Sequence, residues 1–165
     1  MTSSKPQRNR LWLVSNRLPV TMEETDEGIQ VQLSSGGLAT GLVGLHKESG
    51  GGWIGWPGLI TADGSLDEKV RAALSKRDLV GVGLSPEEHR QYYQNLSNQC
   101  IWPLFHYFNE RMHFSEEDWE CYVKINQRFA TTVLAQVDTG DTVFVQDFHL
   151  MLLPQMLRDV RPDLR

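Results

Sequence analysis

Short apolar segments that alternate with helical patterns constrain the fold of this chain more than any other feature of its sequence. The segments cover residues 11–15, 53–56, 79–84 and 142–146, and each has the length of a buried strand. Between them, apolar residues recur at intervals of three or four, as in helices that cover one face of a sheet. Strands that alternate with helices form largely parallel sheets covered on both sides. The pattern therefore predicts an α/β fold with a largely parallel sheet.

Apolar spacing and capping signals predict where the helices begin and end. Leu38, Leu42 and Leu45 are spaced for one helix face, and the glycines at 50–52 end that helix. The segment 85–88, Ser-Pro-Glu-Glu, predicts a helix start with Ser as the cap and Pro at the first position. Further helices are expected over residues 66–77, over residues 150–158 and from residue 115 onwards, and residues 23–30 are expected to form a loop or hairpin tip.

Composition narrows the classes of partner. The chain has 165 residues, 40% of them hydrophobic, which is enough for one globular domain. Its 16 basic and 21 acidic residues give a formal charge of −5, which argues against a nucleic-acid partner because phosphate backbones need a basic face. No apolar run approaches the roughly 18 residues of a membrane span, so no membrane partner is expected.

The ends of the chain and its cysteines suggest where the protein works. Residues 1–10 lack the apolar core of a signal peptide and are expected to form a flexible tail. Cys100 and Cys121 form no CxxC pair, so neither a disulfide framework nor a zinc site is predicted, and a cytoplasmic setting is favoured. The sequence stops after a helix, where a parallel fold continues with a strand, so residues 11–165 are expected to be an incomplete N-terminal domain.

Two glycines and an arginine are candidates for binding an anion. Arg17 follows the first strand, where open α/β sheets place their ligands, and a guanidinium can hold a phosphate with two hydrogen bonds. Gly36 and Gly37 precede a helix, whose N-terminal N–H groups also attract anions. The alternatives are a solvated surface arginine and an ordinary tight turn.

Aromatic and acidic residues provide candidates for sugar binding. Residues 92–107 are rich in aromatic rings and amides, which suit sugar rings and hydroxyls, although core packing is favoured for Phe105 and for one of the tyrosines at 92 and 93. Asp147 follows the strand at 142–146 and either accepts hydrogen bonds from a sugar or caps the next helix. Asp147 and His149 have no third ligand nearby in the sequence, so no metal site is predicted.

Five segments taken in order resemble the trehalose-6-phosphate synthase family of retaining glycosyltransferases. They read VSNRLPV, SSGGLATGL, WIGWPG, YYQNLSNQCIWPLFHY and VFVQDFHLMLLPQMLR, and they extend over nearly the whole chain. The resemblance implies the GT-B arrangement, in which two Rossmann-like domains face each other. It also implies that the N-terminal domain mainly holds glucose 6-phosphate, that the other mainly holds UDP-glucose, and that the product is α,α-trehalose 6-phosphate in trehalose biosynthesis.

The resemblance also implies roles for single residues. Arg17 resembles the arginine that binds the acceptor phosphate, Tyr93 and Trp102 resemble the acceptor-site aromatic residues, and Asp147 resembles the aspartate that binds acceptor hydroxyls. Gly36, with Gly37 in the same loop, resembles the loop that contacts the UDP-glucose donor.

The resemblance leaves part of the machinery outside this sequence. It implies no cofactor and no metal, a possible homo-oligomer of the full-length protein, and a catalytic histidine and donor-binding Arg and Lys beyond Arg165, so no catalytic residue is expected here. Gln146 and Phe148 depart from the His and Tyr that flank the aspartate in many members, which suggests tuning of the site. The alternatives are a synthase that uses glycerol 3-phosphate and a non-catalytic sugar-phosphate-binding or regulatory domain.

Overall fold

The computed structural model describes residues 9–25, 28–34 and 36–165, and its main sheet has four parallel strands. The four strands of the sheet are β1 (Leu11–Arg17), β4 (Gly50–Trp56), β5 (Leu79–Gly81) and β6 (Thr142–Val145). Their order across the sheet is β5-β4-β1-β6. The sequence-based prediction of an α/β fold with a largely parallel sheet is therefore confirmed.

Helices connect the strands and cover both faces of the sheet. The helices are α1 (Gly37–Glu48), α2 (Glu68–Ser75), α3 (Pro86–Glu88), a π-helix (His89–Ile101), α4 (Trp102–Phe105), α5 (Glu116–Leu134) and α6 (Leu153–Val160), with short 3₁₀ turns at Asn109–Arg111 and Phe148–Leu150. None of those in the described part of the chain combines the length and the apolar character needed to cross a membrane.

The structure differs from the sequence-based prediction in three elements. The predicted strand at 79–84 ends at Gly81, because the chain then turns away and Leu84 pairs with Ile60 instead. The polar segment 23–30 belongs mostly to a two-stranded antiparallel hairpin, β2 (Val20–Thr25) and β3 (Gly28–Leu33), whose tip at 26–27 lies outside the described residues. The helix after residue 88 is a π-helix, an uncommon form found often at functional sites.

The side chains of each strand point alternately to the two faces of the sheet, which divides the core into two layers. Trp12 and Val14 of β1 face the layer that contains the π-helix, α5 and α6, whereas Leu13 faces the layer that contains α2 and the hairpin. The first layer is centred on Tyr92, Tyr122 and Phe129, which are fully buried. Successive strand residues point to opposite faces, so a sheet buried on both sides needs apolar residues in succession, as the sequence of β1 shows.

A buried carboxylate fixes the start of β1. Asp141 accepts hydrogen bonds from the Arg10 guanidinium at 2.7 Å and from the Trp12 indole at 3.1 Å. Its side chain is only 3% exposed. Burial alone would raise the pKa of Asp141, but the hydrogen bonds from Arg10, Asp138 and Trp12 together outweigh it and lower the pKa. The tail predicted for residues 1–10 concerns mainly residues 1–8, which lie outside the described residues.

A second buried carboxylate fixes the start of the π-helix. Glu88 and Ser85 form the reciprocal capping box expected from the sequence. The Glu88 carboxylate also accepts from Arg128 at 2.6 Å and lies 3.0 Å from the Lys124 ammonium. Burial alone raises the pKa of Glu88, but the hydrogen bonds from Arg128, Ser85 and Lys124 outweigh it and hold the pKa at about 2.

We predict that Glu88→Gln lowers the free energy of unfolding at pH 7 by about 3 kcal/mol, because it removes the charge that pairs with Arg128. The folded-state pKa lies below the ordinary value of 4.5, so this contribution is complete above about pH 4.5 and is lost as the pH falls towards 2. Urea unfolding at pH 7 and pH 3 measures both effects.

The matched control is Glu87→Gln, because Glu87 is the exposed neighbour whose ion pair, within the described part of the chain, is with Arg90 on the surface. We expect a much smaller change in unfolding free energy for this control. Equal losses for the two variants would contradict a special role for the buried carboxylate.

Candidate functional site

The carboxyl ends of three strands meet at one edge of the main sheet. Arg17 ends β1 and pairs with Trp56, which ends β4. Asp147 lies two residues beyond the end of β6, which pairs with the other side of β1. Open α/β sheets bind their ligands at this edge. The structure therefore brings Arg17 and Asp147 to the edge at which the sequence analysis expects a site.

The Arg17 guanidinium lies on the face of an indole ring. Its central carbon is 4.6 Å from the centroid of the Trp56 ring, a distance typical of cation–π attraction. Its Nη2 donates a hydrogen bond to Thr21 Oγ1 at 3.1 Å. Among the described residues, no ion pair includes Arg17. The positive charge at this edge is therefore positioned but not neutralised by a carboxylate.

Small residues keep the space around Arg17 open. A Cβ at Gly58 would lie 2.9 Å from Arg17 Nη2, and the φ of +86° at Gly58 also favours glycine. Thr21 Oγ1 is 3.2 Å from Ser34 Oγ, so a chain of polar contacts runs from Arg17 towards the loop before α1. Gly36, the N-cap of α1, follows that serine by two residues and has open space around it, as does Gly37.

Five rings form a contiguous cluster beside Arg17, which we call the aromatic column. The ring centroids are 4.9 Å apart for Trp56 and His89, 5.1 Å for His89 and Tyr93, 6.2 Å for Trp56 and Tyr93, and 5.5 Å for Tyr93 and His149. Phe148 stacks on His149 at 4.2 Å and is contacted edge-on by Phe105 at 6.5 Å. The column joins residues from β4, the π-helix and the segment after β6 into one surface.

The π-helix is fastened to the end of β1 by a buried hydrogen bond. Tyr92 is fully buried, and its hydroxyl donates to Asn16 Oδ1 at 3.0 Å. Burial, and then the neighbouring Tyr122, raise the pKa of Tyr92 well above its ordinary value, so the hydroxyl stays protonated. This bond sets the position of Tyr93, the next residue of the helix, over the edge of the sheet.

Asp147 has a strained backbone and a charged side chain. Its φ of +76° and ψ of 158° lie in a region that residues other than glycine rarely occupy. The carboxylate accepts from the Phe148 N–H at 2.7 Å, so the capping alternative is realised in the structure. The nearby His149 is the main cause that lowers the pKa of Asp147, which therefore remains ionised at neutral pH.

His149 is buried without a hydrogen bond to its ring. Its Nδ1 is 3.2 Å from Asp147 Oδ2, but neither ring nitrogen makes a hydrogen bond to any of the described residues. Its backbone carbonyl accepts from Asn126 at 3.1 Å, which fixes the segment against α5. Within the described residues, no group of three or more His, Cys, Asp or Glu side chains is arranged to hold a metal ion.

Trp102 is not part of this cluster. It is 41% exposed and stacks on His106 at 3.8 Å, and no ring contact or hydrogen bond among the described residues joins it to Arg17, Tyr93 or Asp147. The expectation that Phe105 packs in the core is wrong, because its side chain is 54% exposed on the short helix α4. The core tyrosine of the pair is Tyr92.

Sequence reasoning did not select two members of the aromatic column. Trp56 is the last residue of its strand, which is the signal that also marks Arg17. His89 precedes Tyr93 by four residues, a spacing that places two side chains on the same side of a helix. Both signals were present in the sequence, but each is also typical of core residues.

The fold and this edge define a Rossmann-like α/β domain, a class of domain that binds its ligands at the carboxyl ends of the strands. Residues 9–165 match the profile of Glycosyltransferase family 20, and the chain belongs to this family. The resemblance seen in the sequence is therefore confirmed.

Named relatives include UDP-forming α,α-trehalose-phosphate synthases of fungi. The synthase of Botryotinia fuckeliana is 43% identical over 152 residues, which are 92% of this chain and 29% of the relative. The synthase of Candida albicans is 40% identical, over 92% of this chain and 32% of the relative. This chain therefore spans about 30% of the length of these relatives.

Solved structures show the same fold. A UDP-forming synthase from Burkholderia xenovorans in complex with glucose 6-phosphate matches with a TM-score of 0.72 and 28% identity, over 94% of this chain and 32% of that protein. A structure from E. coli bound with UDP-2-fluoro glucose matches with a TM-score of 0.68 and 26% identity, over 92% of this chain and 30% of that protein.

We predict that Asp147→Gly is more stable than Asp147→Ala by about 1–2 kcal/mol, because both lose the carboxylate but only glycine relieves the backbone strain. At most positions the alanine variant is the more stable of the two. The control for this usual behaviour is Ala72→Gly in the exposed middle of α2, which is expected to lower the free energy of unfolding by about 1 kcal/mol. Thermal and urea unfolding of the variants measure the difference. An alanine variant as stable as the glycine variant would contradict strain at residue 147.

Proposed function

We propose that this chain is the acceptor-side part of a UDP-forming α,α-trehalose-phosphate synthase. The reaction is the transfer of glucose from UDP-glucose to glucose 6-phosphate, with retention, to give α,α-trehalose 6-phosphate. Membership of Glycosyltransferase family 20 and the similarity to UDP-forming synthases support this function. The observation that carries the acceptor site is the Arg17 guanidinium, which lies on Trp56 at the carboxyl edge of the sheet without a carboxylate partner among the described residues.

Arg17 is the proposed contact of the acceptor phosphate. Thr21 holds one end of the guanidinium and Trp56 supports its face, so the side chain is oriented before the ligand arrives. Preorganisation of this kind reduces the entropy lost on binding. A phosphate monoester at this point would neutralise a charge that the protein itself leaves unpaired.

The sugar of the acceptor is proposed to lie along the aromatic column. Tyr93 is half-buried there and presents a ring and a hydroxyl, and Asp147 presents an ionised carboxylate that accepts hydrogen bonds from hydroxyl groups. Trp102 remains a proposed acceptor contact, although it is separate from the column. Phe148 extends the apolar surface, and Gln146 places an amide next to Asp147.

Gly36 and Gly37 are the proposed contacts of the UDP-glucose donor. They lie at the N-terminus of the 12-residue helix α1, where N–H groups attract the negative charge of a diphosphate. In this proposal the chain contributes positioning and electrostatics rather than a nucleophile, and the catalytic histidine belongs to the part of the relatives that this chain does not span. No cofactor or metal takes part in the proposed reaction.

The match of the Arg17 and Gly36-Gly37 segments to the trehalose-phosphate synthase family favours glucose 6-phosphate over glycerol 3-phosphate. Competition between the two phosphate esters therefore separates the two substrate classes.

We predict that Arg17→Ala weakens the binding of glucose 6-phosphate to this chain by about tenfold to a hundredfold, the scale of a lost charge-assisted hydrogen bond. Glucose itself is expected to bind equally weakly to both proteins. NMR chemical-shift titrations of each ligand measure the affinities. The control is Arg77→Ala, whose exposed side chain donates a hydrogen bond to the Ala73 carbonyl of α2. Equal losses for phosphorylated and free glucose would rule out a phosphate contact at Arg17.

We predict that the 165-residue chain alone releases no UDP from UDP-glucose in the presence of glucose 6-phosphate. The relatives that carry this activity in their names are about three times as long. A coupled assay for UDP, with the Candida albicans relative as the positive control, measures the turnover. Measurable release by the short chain would place the complete catalytic apparatus within these residues and overturn this division of roles.

A further inference from the structure

His89 contacts two rings that belong to the proposed acceptor site. The centroid of its imidazole is 4.9 Å from that of Trp56 and 5.1 Å from that of Tyr93, on which it stacks, and Trp56 and Tyr93 are themselves 6.2 Å apart. Arg17 lies on the same Trp56 ring, with its guanidinium carbon 4.6 Å from the centroid. One indole therefore contacts both a fixed cation and a group that becomes a cation when it is protonated.

The nitrogens of His89 have no partner among the described residues. No hydrogen bond or ion pair to the imidazole is present, in contrast to His46, which lies 3.3 Å from the Asp78 carbonyl. The ring is half-buried, and its nitrogens are not among the buried polar atoms without a partner, so they reach solvent at the edge of the sheet. A ligand at this edge can therefore interact with the imidazole directly or through water.

The charges around His89 keep it neutral while the site is empty. Burial and then the positive charge of Arg17 lower the pKa of His89 below its ordinary value. On its own helix, Glu88 is engaged by Arg128 and Glu87 pairs with Arg90, so neither carboxylate is free to favour the imidazolium.

The remaining neighbours of His89 add no closer compensating charge. Trp56 of β4 carries none, and Tyr93 separates the imidazole from His149 and Asp147 of the segment after β6. After burial, the charge of Arg17 is the second cause that lowers the pKa of His89, so a ligand that neutralises Arg17 removes this repulsion.

From this arrangement we infer that His89 is a proton-dependent second cation of the acceptor site, which takes up a proton from solvent when a phosphate ester binds at Arg17. The inference rests on the proposed function and adds a positioning residue to it. The proton that is bound makes the site more positive only when an anion occupies it. The chain would therefore discriminate in favour of anionic sugar esters, and their affinity would increase as the pH falls.

The test uses glucose 6-sulfate as the main probe, because a sulfate ester keeps one negative charge throughout this pH range whereas a phosphate ester titrates near pH 6. NMR titration of the histidine Cε1–H signals between pH 5 and pH 8, with and without saturating ester, reports on protonation of His89. We expect its apparent pKa to rise by about one unit in the complex, and the affinity for glucose 6-sulfate to rise about tenfold from pH 8 to pH 5.

Two variants and a matched control isolate the histidine. His89→Phe keeps an aromatic ring in the column and cannot be protonated, so its affinity for the sulfate ester is expected to change less than about twofold over the same pH range. His89→Gln is the second variant, should the phenylalanine disturb folding. His46→Phe is the control, because His46 of α1 packs at 5.7 Å against Trp53 of β4, away from the proposed acceptor site. This variant is expected to keep the full pH dependence of binding.

Each outcome decides a different question. Binding that is independent of pH in the wild-type chain, or a His89 variant with unchanged pH dependence, overturns the role of His89 and leaves the Arg17 site standing. Failure of both glucose 6-phosphate and glucose 6-sulfate to bind at any pH overturns the acceptor site and the role of His89 together. The wild-type NMR titration requires no variant, so it decides the question even if neither substitution folds.

Discussion

The buried carboxylate of Glu88 is the interaction on which the geometry of the candidate site depends. It closes the capping box with Ser85 and pairs with Arg128 of α5, so the start of the π-helix is held against α5. Arg128 also donates to the Gly83 carbonyl at 2.7 Å, which ties the same group to the chain just after β5. The next residue along the chain is His89, so a displacement of Glu88 would also displace His89 and the aromatic column.

The second anchor of the site is the hydrogen bond from Tyr92 to Asn16. It joins the first turn of the π-helix to the residue before Arg17, and both atoms are buried. With the start of the helix held by Glu88, two points fix its rotation about its own axis. This rotation places Tyr93 at the edge of the sheet while its neighbour Tyr92 fills the core.

The parallel strands and the residues at their ends could be predicted from the sequence, because both follow from local patterns, whereas the strand order depends on long-range packing that no local pattern gives. Arg17 and Asp147 were expected at the ligand edge for that reason, and the structure places them there. The isolated position of Trp102 and the exposure of Phe105 could not be predicted, since aromatic residues in a helix look alike in sequence whichever way the helix is rotated. The π-helix changes that rotation, and no local sequence pattern predicts a π-helix here.

Trp56 has a consequence for how the protein can be observed. Its indole is only 3% exposed and is in contact with Arg17 and with His89. The emission of a buried indole responds to charge placed beside its ring, and here both neighbouring groups belong to the proposed ligand site. The chain thus contains its own fluorophore at the acceptor position, and a version in which Trp56 is the single tryptophan would report occupancy optically without an attached label.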